Sequence, residues 1–107
     1  MDIFTTKPIK EIDNISFRGI IKNKEISVTR HGLDHLSDKQ RNIFKKEDLI
    51  YMLTNETPRK IYLQKNGRYA IYYRKSEGYR KLVIELKNNK VIIVTFIDLT
   101  ELPKYNL

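Results

Sequence analysis

The sequence predicts an α+β domain, with N-terminal short strands and two or three helices packed on a four-stranded antiparallel sheet. Apolar residues recur at helical spacing between residues 29 and 55, whereas residues 60–98 fall into four strand-like runs joined by short turns. A chain of 107 residues can bury a single core, and the absence of cysteine excludes disulfides and thiolate metal ligands.

The N-terminal part predicts an arm followed by two short strands. Residues 1–14 lack a clean periodicity and contain Pro8, so we expect an extended or loosely attached arm before a single domain over residues 15–107. Residues 15–21 alternate apolar and polar side chains, as a half-buried strand does. Residues 25–29 predict a second strand after a turn.

The central part predicts helices. One helix is expected to begin near Thr29 or Arg30, and a capping-box spacing from Ser37 indicates a break and a restart. Another is expected to open at residues 46–48, where acidic side chains favour the helix dipole, and to end between residues 54 and 58. The apolar side of the first helix would carry Leu33, Leu36, Ile43 and Phe44.

Four strands are predicted after Pro58, over residues 60–64, 68–74, 80–86 and 90–98. The Asn-Gly pair at residues 66–67 is a strong hairpin signal, and the other connections are equally short. Strands with such short connections form an antiparallel meander. The alternation places Tyr69 and Tyr73 on one face and Arg68 and Arg74 on the other, without indicating which face meets the helices.

The positive charge is concentrated on these predicted strands. Residues 58–90 contain ten Lys or Arg and two acidic residues, and they account for the whole formal net charge of +8. Tyrosines are interleaved with these cations, a combination that suits phosphate groups and unstacked bases. An anionic membrane would require a basic amphipathic helix, so nucleic acid is the expected partner and a membrane is not. The alternative interpretation is a merely solvated outer face.

His31 and His35 are the only histidines, and their spacing of four places both on one helical side, opposite the apolar residues. Imidazole suits general acid or base catalysis near neutral pH. A zinc site would need a third ligand, and no His-Glu-x-x-His pattern is present, so we expect neither a metal nor a cofactor. Two ordinary surface histidines are the alternative.

Guanidinium and ammonium groups would neutralise the phosphates of a bound RNA. Thr95 interrupts an apolar strand, where it either packs for its β-branched shape or orients a phosphate or histidine with its hydroxyl. The expected RNA-binding residues are Arg30, Arg59, Lys60, Arg74, Arg80 and Lys81, with Arg68 as a further candidate for the phosphate clamp.

Residues 26–36, 44–53, 69–73 and 94–97 together resemble the barnase/EndoU/colicin D/RelE-like nuclease superfamily, in particular its phage-associated and toxin-like branches. The resemblance implies a metal-independent endoribonuclease, commonly a toxin that cleaves tRNA or other RNA to a 2′,3′-cyclic phosphate. His31 or His35 matches the helical histidine of that family, and Thr95 matches the hydroxyl of the last strand. Arg68 and Tyr73 match the basic and aromatic positions of the central strand.

Two other functions remain open from the sequence. One is a non-catalytic nucleic-acid-binding domain, and the other is a degenerate phage or mobile-element protein that docks an acidic partner such as an antitoxin or immunity protein. Residues 1–4 show no signal-peptide pattern, and the lack of cysteine fits a reducing compartment, so we expect a cytoplasmic protein.

Overall fold

The computed structural model describes residues 6–29 and 46–107, in which two helices accompany a six-stranded mixed sheet. The α+β class is confirmed, as are the four strands predicted after Pro58, the strand near residue 25 and the helix that begins at residue 46. The elements are β1 (Pro8–Glu11), α1 (Asn14–Ile21), β2 (Glu25–Val28), α2 (Lys46–Asn55), β3 (Lys60–Gln64), β4 (Tyr69–Arg74), β5 (Tyr79–Lys87) and β6 (Lys90–Leu99).

The sheet is larger than the predicted four-stranded antiparallel sheet. Its strand order is β1-β3-β4-β5-β6-β2, so the meander β3–β6 lies in the centre and a short strand flanks each side. β1 pairs antiparallel with β3, whereas β2 pairs parallel with β6. Both flanking strands have four residues and pair with partners far away in the chain, a relation that local periodicity does not reveal.

The described part of the predicted N-terminal arm is extended and belongs to this sheet. Glu11 is in register with Tyr62, and the backbone N–H of Ile12 donates to the carbonyl of Ile61 at 2.8 Å. Pro8 lies at the start of an edge strand, where its missing N–H removes no hydrogen bond from the interior of the sheet.

The strand predicted over residues 15–21 is wrong, because this segment forms α1. Asp13 caps the helix, since its carboxylate accepts hydrogen bonds from the backbone N–H of Ser16 at 2.7 Å and from the Ser16 hydroxyl at 3.0 Å. These hydrogen bonds hold the pKa of Asp13 below its ordinary value. Phe17 and Ile21, one helical turn apart, are buried, whereas Ile15 is 87% exposed. The short segment fits the alternation of a strand and the spacing of a helix about equally well, and the Asp13 cap favours the helix.

Both helices contribute to a core on one face of the sheet, which we call the helix face. Phe17, Leu49 and Leu53 are fully buried there together with Ile71 and Ile84 of the central strands. The guanidinium of Arg18 ties α1 to the end of α2, because it donates to the carbonyl of Leu53 at 2.9 Å. The opposite face, which we call the outer face, carries a second apolar cluster of Tyr62, Ala70 and Tyr72, with Leu99 and Leu102 packed against it.

A bulge in β6 determines where Thr95 lies. Val83 is in register with Thr95 but Ile84 with Ile93, so Val94 is an extra residue in the strand. The bulge inverts the alternation of side chains, because a strand has a period of two. Thr95 therefore shares the outer face with Val83 and Ala70 instead of the helix face with Ile93.

We expect Gly78→Ala to destabilise the fold more than Gly67→Ala. Both glycines have a positive φ, 91° and 86°, which costs an alanine about 1–2 kcal/mol. A Cβ on Gly78 would also clash with the carbonyl oxygen of Leu99, whereas a Cβ on Gly67 would meet no atom of the described residues within 4 Å. Chemical denaturation of the two variants measures the difference. Equal losses of unfolding free energy would contradict the tight packing of the β4–β5 loop against the end of β6.

Candidate nucleic-acid interface

The predicted site residues divide into four groups. Arg30, His31 and His35 lie outside the described residues. On the outer face the structure places Lys60, Arg68, Arg74, Lys81 and Thr95, and on the helix face it places Tyr73 and Arg80. Arg59 is exposed and lines a separate groove of about 310 Å³ beside the start of α1. No single face therefore unites all the described candidates.

The outer-face cations Arg74 and Lys81 contact tyrosine rings instead of carboxylates. The guanidinium carbon of Arg74 lies 5.1 Å from the centroid of Tyr79, and its Nη1 donates to the carbonyl of Gly78 at 2.8 Å. The ammonium of Lys81 lies 5.8 Å from the centroid of Tyr72. Within residues 6–29 and 46–107 neither cation forms an ion pair. Both positive charges are thus left for an external anion.

Burial lowers the pKa of Lys81. The side chain is half-buried on β5 between Tyr72 of β4 and Ile97 of β6, with which it is in register. A charged ammonium in such a position is disfavoured relative to water, since neighbouring apolar groups replace part of its hydration. An anion bound beside Lys81 would remove this penalty.

Two further outer-face cations have carboxylate partners. Nζ of Lys60 lies 2.6 Å from Oε1 of Glu11, and this hydrogen bond raises the pKa of Lys60 above its ordinary value. Nε of Arg68 lies 4.0 Å from Oε1 of Glu85, a long contact that leaves the guanidinium accessible. Both pairs are exposed to solvent, so each contributes little to stability.

The sheet tyrosines are less accessible than the sequence suggests. Tyr62 and Tyr72 are buried on the outer face, and Tyr73 is buried on the helix face. Tyr69 packs against Phe17, with ring centroids 6.3 Å apart. On the outer face Tyr79 is the sheet tyrosine that is half-exposed. Most tyrosines that were expected to stack on bases therefore pack inside the protein instead.

Residues 100–105, which we call the C-terminal segment, cover the buried outer-face tyrosines. The ring of Tyr105 meets Tyr62 edge-on, with centroids 5.1 Å apart. Burial, together with a hydrogen bond to Tyr105, raises the pKa of Tyr72. The segment starts after Leu99 on β6 and reaches Tyr62 on β3, so it crosses the sheet by about three strand spacings, roughly 14 Å.

A groove of about 830 Å³, which we call the outer groove, lies between this segment and the sheet. It is lined by Lys60, Tyr62, Arg74 and Tyr79 and by residues 100–105. The sequence interpretation missed Lys104 and Tyr105. The signal that could have revealed them is the three-residue spacing of Leu99, Leu102 and Tyr105, which indicates a segment that packs one of its sides against the protein.

Of the two helix-face candidates, Tyr73 belongs to the core and Arg80 forms an ion pair with Asp98. Tyr73 is 1% exposed, its hydroxyl has no hydrogen-bond partner among the described residues, and burial raises its pKa. Arg80 binds Asp98 through two hydrogen bonds, of 2.7 and 3.2 Å, and lies 5.8 Å from the ring centroid of Phe96. These contacts give both side chains a structural role on the face opposite Arg68.

Arg68 and Thr95 share the outer face but are not neighbours. Ala70 on β4 is in register with Val83 on β5, and Val83 with Thr95 on β6, so Ala70 lies two strands away from Thr95. Arg68 lies two residues before Ala70, just ahead of the start of β4. Strand spacing and residue rise place their backbone positions about 12 Å apart. A bound polymer can contact both residues, whereas a single small group cannot.

The end of β2 lies next to the bulge that carries Thr95. The backbone N–H of Thr29 donates to the carbonyl of Ile93 at 3.0 Å, and its hydroxyl donates to the carbonyl of Val94 at 3.2 Å. His31 follows Thr29 by two residues in the chain. Thr29, the last described residue before this part of the chain, therefore lies beside the bulge next to Thr95.

The described residues contain no group of three or more His, Asp or Glu side chains placed to hold a metal ion. In the same part of the chain, no helix has the length and apolar character needed to cross a membrane. Comparison of the chain with protein-family models, curated protein sequences and solved structures gives no match. The resemblance to a nuclease superfamily thus rests on the sequence pattern alone.

We expect Tyr73→Phe to fold at least as stably as the wild type. The substitution removes a buried hydroxyl without a partner, a group that costs about 1–3 kcal/mol to desolvate, and keeps the packed ring. Urea denaturation measures the change, and Tyr72→Phe is the matched control, because that hydroxyl contributes a hydrogen bond to Tyr105. Destabilisation by Tyr73→Phe, but not by Tyr72→Phe, would contradict this description of the two faces.

Proposed function

We propose that the protein binds RNA on the outer face of its sheet and acts as a metal-independent endoribonuclease. The observation that carries the binding proposal is the pair Arg74 and Lys81, which lie on tyrosine rings without carboxylate partners among the described residues. Other described cations, such as Lys22, also form no ion pair within the described part of the chain, so the distinguishing feature of Arg74 and Lys81 is their position over tyrosine rings on one face of the sheet. This face combines cations with aromatic rings, which is the combination that favours a nucleic acid.

RNA suits this surface for electrostatic and geometric reasons. Lys60, Arg74, Lys81 and Lys104 are spread over the outer face and its groove, so a chain of phosphates can contact several of them at once. Each contact releases a condensed counterion, which provides affinity without sequence readout. Half-exposed Tyr79 and Tyr105 supply ring surfaces for bases in the same groove.

Cleavage is assigned to the histidines. One of the two histidines, His31 or His35, would take the proton from the attacking 2′-hydroxyl. The other histidine would protonate the leaving 5′-oxygen. Arg68 would stabilise the charge that develops on the phosphate, and the Thr95 hydroxyl would orient an oxygen of the same backbone. The support for this assignment is that Thr29, which precedes His31 by two residues in the chain, donates a hydrogen bond to Val94 in the bulge next to Thr95.

A non-catalytic RNA-binding domain is the second candidate. It is favoured by the position of Tyr73, which is buried on the helix face, away from Arg68 and Thr95. The binding surface is the same in both candidates, so the two functions differ only in whether bound RNA is cut.

We expect RNA affinity to fall steeply with salt. With about four phosphates contacted, the logarithm of the binding constant should decrease with a slope of about −3 against log salt. Lys81→Met should weaken binding at every salt concentration and reduce the slope by about 0.7, because one phosphate contact is lost. It should also raise the free energy of unfolding, since a half-buried charge disappears.

Fluorescence anisotropy at a series of salt concentrations measures these slopes, with Lys22→Met as the control. Lys22 is exposed at the end of α1, away from the outer face. A flat salt response of the wild type would rule out RNA binding through phosphate neutralisation. Equal effects of Lys22→Met and Lys81→Met would move the interface away from the outer face.

We expect RNA cleavage to persist in excess EDTA and to leave a 2′,3′-cyclic phosphate, because the 2′-oxygen is the nucleophile. His31→Ala and His35→Ala should each reduce the rate by a factor of about 10²–10⁴, the usual contribution of a general acid or base. RNA with a 2′-deoxy group at the scissile nucleotide should bind and remain intact. Full binding without any cleavage by the wild type would instead establish the non-catalytic candidate.

A further inference from the structure

We infer that the outer groove holds a single unpaired nucleotide of the RNA, so that the protein selects single-stranded over double-stranded RNA. The inference rests on the proposed RNA binding but goes beyond it, because it names the class of substrate and the residues that select it. Two accessible aromatic rings, three cations and a wall formed by the C-terminal segment meet in this groove.

The rings of Tyr79 and Tyr105 are the surfaces that a base can contact. Tyr105 is 42% exposed although its edge packs on Tyr62, and Tyr79 is half-buried with the Arg74 guanidinium over its ring. A cation over one face of a tyrosine ring is attracted to the ring, and a base can stack on the opposite face of the same ring. Tyr105 is held in place by its ring contact with Tyr62 and by its hydrogen bond with Tyr72.

The charged groups of the groove suit the phosphates on either side of that nucleotide. Lys60, Arg74 and Lys104 are cationic, and Glu101 is the single carboxylate among the described lining residues. Glu11 contacts Lys60 from β1, so Arg74 and Lys104 are the cations without a carboxylate partner in the described part of the chain. Arg74 also has the planar fork that matches a phosphate.

The size of the groove suits one nucleotide. Its volume of about 830 Å³ lies within the range of roughly 300–1,000 Å³ that pockets for small organic ligands occupy. The C-terminal segment lines one side of the groove, so a base that projects from a backbone can contact both this segment and the sheet. A duplex keeps its bases stacked inside and presents phosphates and groove edges, whereas an unpaired nucleotide can turn its base outwards.

Three RNA probes of equal length test the inference by anisotropy, with 2′-O-methyl riboses so that cleavage does not interfere. They are an unpaired strand, the same strand with abasic residues, and a hairpin stem. The variants are Tyr79→Leu and Tyr105→Leu, which keep an apolar side chain but remove the ring. Tyr51→Leu is the matched control, since Tyr51 is 61% exposed on α2.

The wild type and Tyr51→Leu should bind the unpaired strand about 5- to 150-fold more tightly than the abasic strand, the usual effect of one stacked base. They should prefer it over the stem as well. Tyr79→Leu and Tyr105→Leu should bring the ratio of base-bearing to abasic affinity close to one. Equal wild-type affinity for all three probes, with a steep salt dependence, would overturn the inference and leave RNA binding intact. No binding of any probe at low salt would overturn the proposed function itself.

Discussion

Strand β4 is buried on both faces, and the rest of the structure depends on its register. Ile71 and Tyr73 pack on the helix face, while Ala70 and Tyr72 pack under the C-terminal segment. Because side chains alternate with a period of two, a slip by one residue would exchange these two sets and turn Arg74 towards the helices. The pairing of β4 with β3 and β5 therefore fixes which cations reach solvent on the outer face.

The C-terminal segment packs over the outer face of the sheet and forms the candidate site together with it. By packing over Tyr62 it forms a groove with the sheet, and it brings Lys104 and Tyr105 into the lining of that groove. The half-buried ammonium of Lys81 lies over the Tyr72 ring without a carboxylate partner among the described residues. Such an arrangement costs stability in the free protein, which an anionic ligand would restore.

The meander was predictable because its signals are local. Alternation along β3–β6 and the Asn66-Gly67 turn determine the strands without reference to distant residues. The helix α1 was not predictable from periodicity, since its seven-residue apolar pattern fits a strand as well, and the Asp13 cap decides the outcome. The edge strands β1 and β2 depend on partners far along the chain.

The candidate site was predictable only in part, for the same reason. The shared face of Arg68 and Arg74 follows from strand parity. The outer-face position of Thr95 depends on the bulge at Val94, which no local pattern marks. The role of Tyr105 depends on an irregular segment that folds back over the sheet, and irregular segments have no periodicity to detect.

A ¹H–¹⁵N NMR titration with an unpaired 2′-O-methyl oligonucleotide tests the central claim most directly, because it locates the bound RNA on the protein. The account predicts that the amide signals of Arg74, Tyr79, Lys81 and residues 100–105 shift, while those of Lys22 and Tyr51 on the helix side do not. Shifts confined to α1 and α2, with an unchanged outer face, would contradict it.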